Sequence, residues 1–459
     1  MVHACFARGR VWGAAMLGWA CAAPIHAGQS DFGVGLAFTR SSNIERVQVD
    51  PKSEWTQALM AGLFYQENAL DVTAHVLAQV ERRHFVRQTN SDDTGGYLDG
   101  AAVWNIRPRQ LIWTVEDVFR DVQVDIVAPN TPSNQAKSNS LSTGPDFTLP
   151  LSSTNSAVIG ARYGRFDIEN SITDNRRYTG YVRGVHSLSA QTKVSLNYEA
   201  VRVLLEPGAA DFPKLLREDW FGRYENRSVT NSTTIDLGTS KVTQYGGPVL
   251  DGQRLARLTL SQAFSPQATL RFALSDQISD TYTDLIGGVT KSTATRETGV
   301  VATGVNLATG EVYRSRRSDL AYVNDDGHFG YTLQAYQRQV DFETLDQDYV
   351  EKGGRFLWTW VFSGAMRFTA FGEYSKRTFT TDNMLTPVGD PNPVFGRTDV
   401  DLNYGAAVTY RVNANISASL QGGRTERQST VPLGTFVDNR VMLVLGYSSG
   451  ALYEVKPRR

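Results

Sequence analysis

Between Leu70 and Glu81 the chain alternates: Leu70, Val72, Ala74, Val76, Ala78 and Val80 share one parity, and Asp71, Thr73, His75, Gln79 and Glu81 the other. Side chains of a strand point alternately to its two faces, so this stretch has one greasy face and one wet face. At roughly 3.3 Å per residue and a steep tilt, a strand of this length crosses the apolar part of a bilayer. A soluble sheet would bury the greasy face against a second layer. Beyond residue 27 the sequence shows no convincing stretch with apolar residues at i, i+3, i+4 and i+7 to supply that layer. The simplest partner for so many greasy faces is lipid. The expected fold is all-β: a single transmembrane antiparallel up-and-down β-barrel.

The pattern repeats along the chain. Val194, Leu196, Tyr198 and Ala200 oppose Lys193, Ser195, Asn197 and Glu199. Leu270, Phe272 and Leu274 oppose Arg271, Ala273 and Ser275, and Leu402 to Tyr410 and Ile416 to Leu420 alternate in the same way. Short polar turns such as 105–109, 152–155, 188–191, 264–267, 362–364 and 412–415 separate pairs of such runs, as in hairpins. They alternate with longer connections rich in Asn, Asp, Ser, Thr, Gly and Pro at 42–54, 86–95, 124–143, 207–217, 281–310 and 382–396. Tight turns on one rim and long loops on the other is the asymmetry of outer-membrane barrels, with the turns periplasmic and the loops extracellular. The count is about 18–20 strands; segments near 33–41, 218–226 and 230–243 carry a weak signal. Trp55, Trp104, Trp113, Tyr163, Phe329, Trp358, Trp360, Phe362 and Tyr447 fall near strand ends or on the greasy face, as interface girdles require.

The first residues read as a secretory signal peptide, 1–27. Arg8 and Arg10 precede a short apolar run, Val11 to Ala23, and Ile25-His26-Ala27 suits cleavage. That run is too short to span as a helix. The barrel then occupies 28–450 and a basic tail 451–459, placing the protein in the outer membrane. Both cysteines, Cys5 and Cys21, lie in the signal, so the mature chain has neither a disulfide framework nor a thiolate metal site. A net charge of −1 over 459 residues leaves nucleic acid without an electrostatic footprint.

No catalytic, cofactor or metal constellation stands out. Gly446-Tyr447-Ser448-Ser449-Gly450 matches G-x-S-x-G but lies at a strand end, without the following helix that a nucleophile elbow needs. The residues of the wet parity describe a lumen instead: Thr73, His75, Glu116, Arg162, Arg183, Lys193, Glu199, Arg257, Arg271, Thr332, Gln334, Arg338, Arg355, Arg367, Glu373 and Asn403. Mixed charges among Ser, Thr, Asn and Gln make a water-filled or loop-plugged interior. Singly, each inward Arg is expected to pair with an inward acid and hold shape. Together, rings of Arg bias passage toward anions. Tyr336 and Phe371, inward as well, add aromatic faces to that lumen.

One region has a family likeness. Trp113-Thr114-Val115-Glu116-Asp117, Ala128-Pro129, Ser142-Thr143-Gly144-Pro145-Asp146-Phe147, Gly160-Ala161-Arg162-Tyr163-Gly164 and Asp174-Asn175-Arg176-Arg177-Tyr178 resemble an outer-membrane β-barrel family. Its members are encoded in exopolysaccharide loci of the Wzx/Wzy type and in PEP-CTERM/exosortase loci. The resemblance is specific at 111–180 and generic elsewhere. It implies a porin-like conduit that lets a polysaccharide out through the outer-membrane lipid, without a cofactor. The implied partners are a periplasmic polysaccharide export protein and inner-membrane polymerisation machinery. A general diffusion porin for small solutes, or a closed structural or surface-interaction barrel, fits the pattern too. The loop 281–310 is longer than such a barrel needs and is a candidate plug.

Overall fold

The structure, a computed structural model, describes residues 28–169, 174–205, 215–244, 249–289, 312–343, 347–380, 396–431 and 433–449. The signal peptide expected at 1–27, the tail expected at 451–459 and most of the connections expected at 207–217, 281–310 and 382–396 lie outside the described residues.

Twenty strands form one antiparallel sheet. The first five are Gln29–Ser41 (β1), Glu54–Asn68 (β2), Val72–Phe85 (β3), Asp93–Arg107 (β4) and Leu111–Gln123 (β5). Next come Gln135–Pro150 (β6), Asn155–Ile168 (β7), Asn175–Ser187 (β8), Thr192–Leu205 (β9) and Leu215–Arg227 (β10). Then follow Asn231–Gln244 (β11), Val249–Ala263 (β12), Ala268–Asp280 (β13), Val312–Asp325 (β14) and Phe329–Phe342 (β15). The last are Tyr349–Val361 (β16), Met366–Phe379 (β17), Thr398–Arg411 (β18), Ile416–Ser429 (β19) and Phe436–Ser448 (β20). Each strand pairs with the next, and β1 pairs with β20 from Gly33 opposite Ser448 to Ser41 opposite Arg440. The sheet is a closed up-and-down barrel, so no strand is left unpaired along a whole side for lipid to face.

Register fixes the faces. Leu36 of β1 is opposite Leu59 of β2, and Ala61 of β2 is opposite Val80 of β3. All four point outward, and Leu36, Leu59 and Val80 are exposed. Continued around the barrel, this parity puts Leu196, Trp220, Leu237, Leu274, Leu320, Phe356, Tyr404 and Leu443 outside, all exposed as a lipid-facing belt requires. Near the rim of tight turns the outside is aromatic. Trp104 stands opposite Trp113, and Phe329 stacks on Trp360 at 5.7 Å, with Phe362 edge-on to Trp360 at 5.1 Å.

Three sequence expectations change. The weak segments become the full strands β1, β10 and β11. The connection expected at 124–143 is shorter, because β6 starts at Gln135. Its Ser138, Ser140 and Ser142 look loop-like in sequence but are buried small residues on the inner face. A helix is present as well: Thr281–Val289 (α1) follows β13. Nine residues containing two glycines are too few to hold a helix alone; Tyr282 and Leu285, three apart, dock it on the wall.

Candidate functional site

The lumen divides into a polar lower part and a filled upper part at the long-loop rim. Two inserts do the filling. β13 pairs with β12 only as far as Asp276 opposite Ala256, yet continues with β14 to Asp280 opposite Val312. Above Asp276 the outward parity of β13 no longer meets lipid. Ile278 and Val312 are buried with Val201, Val203, Leu215 and Val242, inward residues of β9, β10 and β11. Asp280 accepts a hydrogen bond from Arg177 Nη1 of β8 at 2.9 Å, both side chains about 5% exposed. The top of the β13–β14 hairpin therefore lies inside the wall.

Helix α1 continues this insert. Leu285 and Tyr282 pack on Val122, Ala136, Phe166 and Ile168, inward residues of β5, β6 and β7. Tyr282 lies edge-on to Phe166 at 6.1 Å, sits 4.4 Å from the Arg177 guanidinium, and donates to the Leu141 carbonyl at 3.1 Å. Asp284 accepts from Ser279 Oγ at 2.5 Å and Tyr313 Oη at 2.8 Å. Burial holds its carboxyl above the ordinary carboxylate range despite those donors, and pushes the Tyr282 hydroxyl up to about 12.

The second insert is the β5–β6 loop. Ile126 and Val127 are buried against Tyr313, Val340, Phe342, Tyr349 and Phe379, inward residues of β14 to β17. Arg377 and Arg427 donate to the Ile126 and Val127 carbonyls at 3.3 and 3.5 Å, and Arg46 donates to the Asn130 carbonyl at 2.6 Å. The loop thus crosses the mouth to the far wall. Desolvation lowers the Arg46 guanidinium to about 10.

Below these inserts the wall carries rows of Arg and acid around aromatic rings. Arg162 binds Asp146 through two bonds of 2.7 and 2.8 Å, and Tyr181 donates its hydroxyl to the same carboxylate. The guanidinium groups of Arg162 and Arg183 lie 5.6 and 4.3 Å from the Tyr181 ring. Asp236 binds Arg223 at 2.6 Å and Arg257 at 3.1 Å, and those two arginines lie 5.5 and 5.0 Å from the Phe221 ring. Arg355 meets Glu373 at 2.9 Å, directly across β16–β17, and lies 5.6 Å from Tyr336. Glu351 holds Arg338 at 3.7 Å and Arg377 at 3.5 Å.

Each lumen candidate from the sequence falls on the inward parity of its strand. His75 is 3.9 Å from Asp99, Glu199 is 3.8 Å from Arg217, and Glu116 is half-buried opposite Ser142. Lys193 and Arg271 are exposed toward the tight-turn rim, and Arg367 lies at the same end of β17. Tyr336 and Phe371 are buried on the inner face. The candidates do not form a single cluster. The register brings Arg162, Arg257, Arg338, Arg355 and Glu373 into separate ion-paired groups around the wall, with Arg183 over the Tyr181 ring beside the first. The alternation does not single out the partners Asp99, Asp236, Glu351 and Arg377 or the insert residue Asp280, and Asp146 and Arg177 stand in the sequence only as part of the family likeness. The inward parity of all but Asp280, which stands on the outward parity of β13, is readable, but the pairing depends on register across strands.

No family model matches the chain, and no curated protein matches it. Among solved structures the chain is similar to the FrpB iron transporter of Neisseria meningitidis, F3-3 variant, at 11% identity and a TM-score of 0.45, covering 91% of this chain and 81% of that one. It is also similar to OccK2 (OpdF) of Pseudomonas aeruginosa, solved in complex with glucuronate, at 9% identity and a TM-score of 0.36, covering 92% and 98%. OccAB4 of Acinetobacter baumannii matches at 11% identity and a TM-score of 0.34, covering 92% and 98%. The chain's own geometry fixes its class: it is a closed, lipid-belted, twenty-stranded transmembrane barrel with a polar lumen and an occupied mouth.

Proposed function

We propose that the protein is a gated outer-membrane conduit for the secretion of exopolysaccharide. The observation that carries this reading is the inner wall. Its Arg–acid rows are interleaved with Tyr181, Phe221, Tyr336 and Phe371, which offers hydroxyl-rich rings both hydrogen-bonding groups and faces for weak stacking. The protein contributes a wall and no covalent step. The family likeness at 111–180 supports polysaccharide as the cargo, with a periplasmic export protein and the inner-membrane polymerisation machinery feeding the tight-turn rim.

The packed mouth favours a gated channel over a permanently open diffusion porin. Passage requires the β13–β14 insert and the β5–β6 loop to leave the lumen. In planar bilayers the intact barrel is expected to stay closed, and replacing Thr281–Val289 with a Gly-Ser linker to raise conductance. An in-frame gene deletion tests the cargo. Under this reading surface polymer disappears, accumulates in the periplasm and returns on complementation. Unchanged surface polymer removes the export reading and leaves a closed or small-solute barrel.

A further inference from the structure

The outer face above the apolar belt has its own pattern. Reading up β14 from its turn, the outward residues are Tyr322, Leu320, Ser318, Arg316 and Arg314; up β15 they end in Gln337, Gln339 and Asp341. On β16 and β17 the belt residues give way to Lys352 and Lys376, exposed and directly opposite one another. Like charges so placed repel, and neither lysine has an ion-pair partner among the described residues.

Beside this band the wall has a notch. Above Ala256 the β12–β13 ladder stops, because β13 turns into the lumen while β12 continues along β11. A cavity of about 500 Å³ opens there, and apart from Arg257, Ser275 and Arg317 its lining residues are of the outward parity. Leu237, Leu258 and Leu274, all on the lipid-facing parity, form its floor, and Arg316, Gln337 and Gln339 line its upper edge. Arg254, outward and exposed on β12, stands on the other bank. Asp276 and Asp341 lie 3.9 and 3.8 Å from Arg316, but Asp276 is engaged at 2.9 Å through both oxygens by Arg314. Arg254, Arg314, Arg316, Lys352 and Lys376 against those two acids leave the band positive.

An apolar floor at membrane depth beneath a cationic rim suits a ligand with a hydrocarbon tail and an anionic head. Free phosphate would leave the floor bare, and a polymer threading the lumen does not reach this outer face. We propose that the β12–β15 notch binds a phosphate-bearing lipid of the leaflet at the long-loop rim, its acyl chain on Leu237, Leu258 and Leu274 and its phosphate between Arg254 and Arg316. The proposal is independent of what passes through the lumen.

The test is native mass spectrometry of the purified full-length barrel in neutral detergent, with diphosphorylated lipid A as probe. Dephosphorylated lipid A and inorganic phosphate serve as comparison and competitor. The wild type is expected to retain the phosphorylated lipid at millimolar inorganic phosphate. Arg254→Gln with Arg316→Gln should bind it roughly thirty-fold more weakly, at about fivefold per basic residue near a membrane surface. Ala256→Trp, which fills the floor without changing charge, should abolish retention. Heat-modifiable gel mobility identifies folded barrels; if the double variant does not fold, Arg254→Gln alone and Ala256→Trp decide. Equal retention by these variants, equal binding of the dephosphorylated lipid, or displacement by inorganic phosphate each overturns the proposal.

Discussion

Arg177 and Asp280 show how much rests on single side chains inside the wall. Their 2.9 Å bond ties the insert to β8 where both are almost fully buried. Removing one partner of a buried pair strands the other charge, at a cost of about 3–5 kcal/mol. Arg177→Leu is therefore expected to loosen the insert without opening the barrel, seen as raised conductance and faster proteolysis within α1. Asp284 adds a pH dependence. Its carboxyl is raised in the folded state by burial, opposed by the Ser279 and Tyr313 hydroxyls and the Arg338 charge, and reinforced by Asp280. The protonated form is the better docked one. Docking is thus strongest below the ordinary aspartate pKa of about 3.9 and weakens as pH rises through the raised folded value. Open probability should climb with pH in that window, and Asp284→Asn should flatten the climb; a profile identical in both proteins would refute the assignment. Alternation placed Arg162, Arg257 and Arg355 inside from sequence alone, but not beside Asp146, Asp236 and Glu373.

At the scale of elements, one strand can serve two surroundings. The lower part of β13 is ordinary wall, with Leu270, Phe272 and Leu274 toward lipid, while its top is plug, with Ile278 against the inner face of β9–β11. From Asp276 up, the same parity carries Asp276, Ile278 and Asp280, and its environment changes from lipid to the inner wall. The same explains the weak signal of β10. Its outward residues run Tyr224, Gly222, Trp220 and then Glu218, because the strand rises above the belt and Glu218 there accepts from the Tyr198 hydroxyl at 2.8 Å. Position along a strand therefore sets the cost of a charge. Leu196→Arg, outward and 65% exposed to lipid, should cost about 2–4 kcal/mol if it lies near the bilayer midplane. Thr332→Arg, inward on β15, should cost far less. Denaturant titrations of refolding into vesicles would compare the two, and equal costs would reverse the face assignment.

For the whole molecule, closure is the decisive event. Without β20, β19 and β1 would present unpaired backbone to hydrocarbon, at several kcal/mol for each unsatisfied group. A chain ending at Ser429 is expected to give no heat-modifiable folded band in detergent or vesicles; a folded band would mean that β19 and β1 pair directly. Sequence alone determined that this chain makes strands, which side of each meets lipid, and which rim carries the long connections, because these follow from a two-residue period and local turn chemistry. The length of 281–310 pointed to a plug, but tertiary structure alone decided which arginine meets which acid, that nine residues after β13 become a helix, and that the β5–β6 loop joins it in filling the mouth. Those outcomes depend on register and on contacts between residues far apart in the chain, such as Arg177 with Asp280 and Arg377 with the Ile126 carbonyl, which no local pattern encodes.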